Sequence, residues 1–360
     1  MDERARDATL IRPLTSARFF AAAAVVVYHS GATWLAGHPG APMVVQSILL
    51  NGYLGVTFFF VLSGFILQLT YRGGIAGAAA WRRYGIARFA RIYPVYLLAL
   101  VAMAPFVRFR GLRDLPQFVL LQWWPPIQIA HWSNWNMPAW TLSVECFFYC
   151  CFPLLSYVAM RLPARGLWAI VTALWLFDLI TGSSAIVAGR QAWFGWMADI
   201  PIPLLRLPEF SIGIVFAELH RRRCTLPTLP AWLPLLALLV IVGLGNGRWI
   251  AAFATALSAL IIVAIAADRG SVIGRLLSAR PLVLLGGASY SLYLLHQPIH
   301  FAIARLMGSS KLMLAAQYPV LLIAAIGVFL LVEEPAREWI RGRAGMKPSA
   351  IEPVAAHPVG

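Results

Sequence analysis

The chain has 360 residues, of which 60% are hydrophobic and only 12% are charged. Soluble domains carry about 25% charged residues, so a water-soluble globular body is excluded and a polytopic membrane protein is expected. The net charge of +15 calls for no nucleic-acid partner, because most of it falls where topology places basic residues, against the anionic inner leaflet.

Ten apolar stretches can be drawn in chain order. They lie near 14–34, 53–71, 92–107, 139–160, 166–183, 200–219, 231–246, 249–267, 281–304 and 315–333. The third is short. Charges precede the first stretch but no small-residue cleavage site follows it, so it reads as an uncleaved span. With the N-terminus inside, twenty of the 29 basic residues fall on the inner side and seven on the outer. The inner set includes Arg72, Arg82, Arg83, Arg88 and Arg91, and the outer set includes Arg190 and Arg248. The predicted fold is therefore all-α, a polytopic bundle of about ten membrane helices with both termini cytoplasmic. Residues 1–13 form a cytoplasmic lead, 14–335 one membrane domain, and 336–360 a basic, partly disordered tail. No internal repeat is visible.

The first span, LTSARFFAAAAVVVYHSG, carries Arg18 and His29. Eleven helical steps advance about 1100°, within roughly 20° of whole turns, so both project from one face about 16 Å apart. Ionisable groups within spans usually face a bundle interior or a wet cavity. The second span, GYLGVTFFFVLSGFIL, mixes small and large residues in a way that suits close helix packing. No base lies near its Ser63 in sequence, which argues against a nucleophile there.

The inner segment WRRYGIARFARIYPVY clusters Arg82, Arg83, Arg88 and Arg91. Guanidinium forks suit phosphate groups, and the same residues also serve positive-inside anchoring. The outer segment 108–138 holds Trp123, Trp124, Trp132 and Trp135, which suit an interfacial belt, and Pro125 and Pro126 break any helix there. A short interfacial helix near 115–124 is expected.

Further along, Glu145 lies in the fourth span, Arg206 and Glu209 in the sixth, and His296 in the ninth with Tyr290 and Tyr293 below it. With His29, five ionisable groups from four helices converge on the outer half of the membrane, each costly unless paired. A neutral imidazole can take a proton from a hydroxyl and return it to a leaving group. A carboxylate can orient that ring, with Glu145 the first candidate and Glu209 the second. Arg206 either holds an anionic or carbonyl oxygen of a substrate or neutralises Glu209 three residues on. Asp178 is expected at the interface. Cys146, Cys150, Cys151 and Cys224 show neither disulfide nor metal spacing, so no metal site is expected.

Several strings agree with one family. The chain resembles the membrane-bound acyltransferase-3 family over nearly all of residues 11–335. Arg18, ten residues and His29 fit its first-span pattern. FFFVLSGF at 58–65, ARFARIYP at 87–94, PAWTLSVECFFYCCFP at 138–153, SYSLYLLH at 289–296 and EEP at 333–335 resemble its further motifs in order. In the fourth of these, Thr141 stands at the family's usual serine.

The resemblance implies an enzyme that transfers acyl groups other than aminoacyl groups, O-acylating glycans or small molecules from a bacterial-type inner membrane. The donor would be acyl-CoA, as acetyl-CoA, arriving from the cytoplasm as a co-substrate with no permanently bound cofactor. Arg83, Arg88 and Arg91 would hold its phosphates, and the pantetheine arm would pass Arg18. Arg18, His29 and Glu145 are thus the catalytic candidates. Arg206, Glu209, Tyr290 and His296 are the substrate-binding candidates. The acceptor would be an extracytoplasmic glycan or lipid-linked sugar. Relatives with a fused extracytoplasmic hydrolase-like domain complete transfer there; that module is not expected here, and a separate partner stays open. The competing reading is a proton-coupled transporter using His29, Glu145 and His296 as a relay, which the lack of repeats weakens.

Overall fold

The computed structural model describes residues 3–38, 40–71, 73–124, 134–181, 200–224, 229–245, 249–268, 270–308 and 311–346. Expectations for Arg72, Pro125, Pro126, Trp132, Arg190, Arg248 and the tail from 347 lie outside the described residues. Among those described, every regular element is helical and no strand occurs.

In chain order the main helices are α1 (Glu3–Ala36), α2 (Met43–Leu50), α3 (Leu54–Thr70), α4 (Ala78–Met103), α5 (Trp140–Arg161), α6 (Ala164–Thr181) and α7 (Leu207–Arg221). There follow α8 (Trp232–Gly243), α9 (Trp249–Ala267), α10 (Val272–Leu277), α11 (Arg280–Gly287), α12 (Ser289–Met307), α13 (Lys311–Val328) and α14 (Glu334–Arg343). A π-helical turn, Phe329–Glu333, joins the last two.

Five described helices or helix runs are long and apolar enough to span a membrane, or six if α2 and α3, bent by 42°, count as one span. The chain is a multi-pass integral membrane protein. The length criterion does not reach the ten spans read from the sequence: α7 and α8 have only 15 and 12 residues.

Two sequence expectations change. The third span was drawn from 92, but α4 starts at Ala78 and runs through Pro94. The basic segment is therefore continuous with the span, because Tyr84, Ala87 and Ala90 supply a buried stripe that carries the helix inward. The outer helix expected near 115–124 is only one turn, Leu115–Phe118. The hydroxyls of Tyr96 and Tyr93 donate to the carbonyls of Gln117 (2.5 Å) and Phe118 (3.1 Å). Leu120 then turns the chain at φ 61°, a conformation no α-helix can continue.

The chain divides into two compact units. One comprises residues 23–74 and 144–277. Its axis is the crossing of α3 and α7, where backbone meets backbone. A Cβ at Gly64 would lie 2.0 Å from the Phe210 carbonyl oxygen, and one at Gly213 2.0 Å from that of Val61. Only residues without Cβ permit that approach. Beside it Phe148 stacks on Phe210, and Phe60 meets Phe148 edge to face. On the other side, Trp175 of α6 donates to the Ala252 carbonyl of α9 at 2.9 Å. Asn51 holds the C-terminal end of α8 through the carbonyls of Val242 (3.1 Å) and Gly245 (2.8 Å). At α7's C-terminal end, buried Glu218 accepts from Gln68, Arg221 and Arg222. Arg222 in turn donates to the carbonyls of Ala159, Met160 and Leu162, which caps α5.

The other unit comprises residues 1–22, 75–143 and 278–360. Here α12 packs on α13 and on α4, and α14 packs along α4. His300 of α12 donates to Gln317 of α13 at 3.0 Å, and Tyr290 of α12 donates to the Ile92 carbonyl of α4 at 2.7 Å.

Candidate active site

The helix α1 carries Arg18 and His29. Measured at about 100° per residue, Leu14, Ala22, Val25 and His29 fall in one sector around Arg18. Leu14, Ala22 and Val25 are buried to 1% or less, whereas Phe20, on the opposite side, is 52% exposed. His29 is exposed although it sits in the buried sector. Arg18 is half-buried on the same face.

The imidazole is fixed locally. Nδ1 of His29 lies 2.9 Å from the Val25 carbonyl oxygen. A carbonyl only accepts, so Nδ1 carries the proton in the neutral ring and Nε2 holds the lone pair. The Tyr28 ring meets the imidazole edge to face at 5.1 Å, and Tyr53 meets Tyr28 in the same manner at 5.8 Å.

In the same unit the carboxylate of Glu145 accepts from the hydroxyls of Tyr149 (2.5 Å) and Ser63 (3.5 Å). Sequence reasoning gave Ser63 no acidic or basic neighbour. The tertiary structure brings one from 82 positions away, which no local pattern signals.

Arg206 and Glu209 form a sealed pair, 2.9 Å apart and exposed by 1% and 0%. Thr57 donates to Glu209 at 3.0 Å and accepts from Arg206 at 3.2 Å. The guanidinium also lies 5.1 Å from the Phe60 ring centroid. The alternative in which Arg206 neutralises Glu209 is thus realised, and the cluster ties α7 to α3. Asp178 is a correction: it was expected at the interface, but it is fully buried and accepts from Thr255 at 2.6 Å. The Thr255 hydroxyl, two turns into α9, satisfies a carboxylate that sequence alone left facing water. The thiols of Cys146, Cys150, Cys151 and Cys224 are free.

In the other unit Arg91 pairs with Glu333 and lies 5.0 Å from the Tyr290 ring centroid. Arg88 is half-buried and Arg83 is exposed. Glu333 also accepts from Ser291 at 2.8 Å. Glu334 accepts from Arg337 at 2.5 Å. The two acids of the EEP string thus both engage arginines, although sequence reasoning gave neither a role. Further along α12, Tyr293 donates to the Pro138 carbonyl at 3.0 Å. The Nδ1 of buried His296 lies 2.6 Å from the Tyr293 carbonyl. Asn136 donates to the Leu294 carbonyl at 3.0 Å, and Gln297 accepts from the Met137 N–H at 2.6 Å. These contacts seat residues 136–138 on α12.

One unit offers an imidazole held through Nδ1 and a tyrosine-held carboxylate, and the other offers an arginine set by a buried acid. These are the parts of proton-transfer chemistry and of anion binding.

Comparison with known proteins adds independent findings. A family model described as an acyltransferase domain matches residues 14–334. The acyltransferase MdmB of Streptomyces mycarofaciens is 29% identical over 230 residues, 58% of this chain and 57% of that protein. The O-acetyltransferase OatA of Staphylococcus aureus is 26% identical over 325 residues, 79% of this chain and 50% of that protein. A putative peptidoglycan O-acetyltransferase of Bacillus subtilis, YrhL, is 26% identical over 329 residues, 79% of this chain and 48% of that protein. The chain therefore spans about half the length of the curated relatives it matches. No solved structure matches.

Proposed function

The chain belongs to the acyltransferase-3 family, and from that premise we propose that it is a membrane O-acyltransferase acting on glycan hydroxyls. The acyl group, acetyl in this reading, comes from acyl-CoA on the cytoplasmic side. The acceptor is an extracytoplasmic or lipid-linked sugar. Ten spans with both termini cytoplasmic, and a membrane domain over 14–335, complete the proposal.

Its chemistry follows from His29. Nε2 removes the proton of the acceptor hydroxyl as that oxygen attacks the thioester carbonyl. The carbon–sulfur bond then breaks, the ester stays on the acceptor, and the imidazolium returns its proton to the CoA thiolate. Glu145, its carboxylate held by Tyr149, is assigned to stabilising the imidazolium. Arg88 and Arg91, with Arg83 at the rim, take the donor phosphates, and Arg18 lies along the pantetheine path. The Arg206–Glu209 pair and His296 are assigned to the acceptor side, whereas Tyr290, its ring 5.0 Å from the Arg91 guanidinium, falls with the donor phosphates.

The observation that supports this most is the hydrogen bond from Nδ1 of His29 to Val25. It places the lone pair of the neutral ring, the basic site, on Nε2. The relatives' activities, O-acetyltransferase and acyltransferase, support the reaction class.

The test is release of free CoA thiol by the purified protein, in detergent or liposomes, given acetyl-CoA with and without a glycan acceptor. Acceptor-dependent thiol release with mass gain of one acetyl group on the glycan is expected. Proton-coupled solute flux without thiol release would replace this reading with a transporter.

A further inference from the structure

The π-helical turn Phe329–Glu333 is the one such turn among the described residues. A π turn adds one residue to a helix, which rotates everything after it by about 100°. Such turns persist mainly where a side chain must be aimed. Here the residue aimed is Glu333, which is 1% exposed.

Both of its oxygens are engaged, each by a different helix. Oε1 takes an N–H of Arg91 from α4. Oε2 takes the Ser291 hydroxyl of α12 at 2.8 Å. The next residue back on α12, Tyr290, places its ring 5.0 Å from the Arg91 guanidinium. The Tyr290 hydroxyl is anchored to the Ile92 carbonyl at 2.7 Å, so the ring is fixed to the helix that carries Arg91. The guanidinium is thereby set from one edge by a carboxylate and from one face by an aromatic ring. The orientation of the whole planar fork, and with it the direction of its N–H donors, follows from those two holds.

We propose that Glu333 is a positioning residue for donor binding, which acts through Arg91 and sets how tightly the phosphate-bearing end of acyl-CoA is held. The inference rests on the placement of donor phosphates at Arg88 and Arg91 proposed above. It assigns to the end of the last span a role in substrate affinity, not in the chemical step.

The experiment compares two donors, acetyl-CoA and the phosphate-free thioester S-acetylpantetheine, in thiol release by the full-length protein. Glu333→Ala should raise KM for acetyl-CoA about tenfold or more with kcat within about threefold, since only ground-state binding is lost. KM for S-acetylpantetheine should stay within about twofold, because it lacks the group Arg91 would meet. Arg91→Ala and the double variant should then share one KM for acetyl-CoA within about twofold, the signature of two residues acting as a unit. Equal losses on both donors, or a double variant clearly worse than Arg91→Ala, would overturn the proposal.

If Glu333→Ala does not accumulate in membranes, Ser291→Ala serves, because it keeps the carboxylate and removes one of its two holds. A rise of about threefold confined to acetyl-CoA is expected. No rise, or a rise on both donors, would likewise overturn it. Wild-type protein that uses both donors with one KM would fail differently. That result removes the phosphate reading of Arg88 and Arg91 before any variant is made, and this inference with it.

Discussion

Gly64 of α3 faces the Phe210 carbonyl of α7 so closely that a Cβ at residue 64 would lie 2.0 Å from that oxygen. Gly213 stands in the same relation to Val61, so the crossing is closed from both sides. Gly64→Ala and Gly213→Ala should each cost about 1–3 kcal/mol or more, since backbone has to move. Gly85→Ala is the control: nothing lies within 4 Å of its Cβ position, and alanine gains about 1 kcal/mol in a helix. Thermal unfolding in detergent measures all three. Equal melting temperatures for Gly64→Ala and Gly85→Ala would show that the crossing is looser than described.

The buried pair of Arg206 and Glu209 makes a second prediction. Arg206→Met leaves a carboxylate without its cation in a site that is 0% exposed, at a cost of about 3–5 kcal/mol. Adding Glu209→Gln should recover much of that loss, because no uncompensated charge is left. The readout is the melting temperature of the two variants side by side. A double variant no more stable than the single one would mean that the cluster contributes through something other than charge pairing.

His29→Ala should lower acceptor-dependent thiol release by at least about 10²-fold, the usual weight of a general base. Membrane accumulation should be retained, because the Nδ1 hydrogen bond of the ring is to its own helix. The decisive comparison is turnover per folded molecule. Full turnover in the variant would remove His29 from the mechanism.

Asp268 gives a pH-dependent prediction outside the membrane. Burial opposes its ionisation, but hydrogen bonds from the Ser271 hydroxyl and the Ser271 and Gly270 N–H groups outweigh it and hold the carboxyl below the usual range. Ser271 in turn caps α10 by accepting from the Gly274 N–H at 3.1 Å. A depressed folded-state pKa means stability that is present above the unfolded value, about 3.9, and lost as pH falls through the folded one. Asp268→Ala should therefore cost about 0.5 kcal/mol near neutral pH, since solvent screens a largely exposed carboxylate, and the difference from wild type should vanish in strong acid. A gap that stays constant with pH would rule out the carboxylate as its source.

The sequence by itself determined the class of molecule and the shared face of two ionisable groups on its first helix. Apolar runs and few charges leave a membrane helix bundle as the only economical outcome, since hydrocarbon cannot satisfy an open backbone. The ten-residue spacing of Arg18 and His29 put both on one helical face, because that follows from helix periodicity alone. The extent of α4, the single turn at 115–118 and the burial of Asp178 were not legible. Each depends on a partner distant in sequence: a packed stripe, two tyrosine hydroxyls, Thr255. Only the tertiary structure decided which charges cancel. Arg206 with Glu209 was one of two open choices, Tyr149 and Ser63 at Glu145 carried no local signal, and Glu333 reaches Arg91 across 242 positions. Periodicity fixes which way a side chain leaves its own helix; the identity of what it meets is set by packing between helices, and that is not written in any one segment.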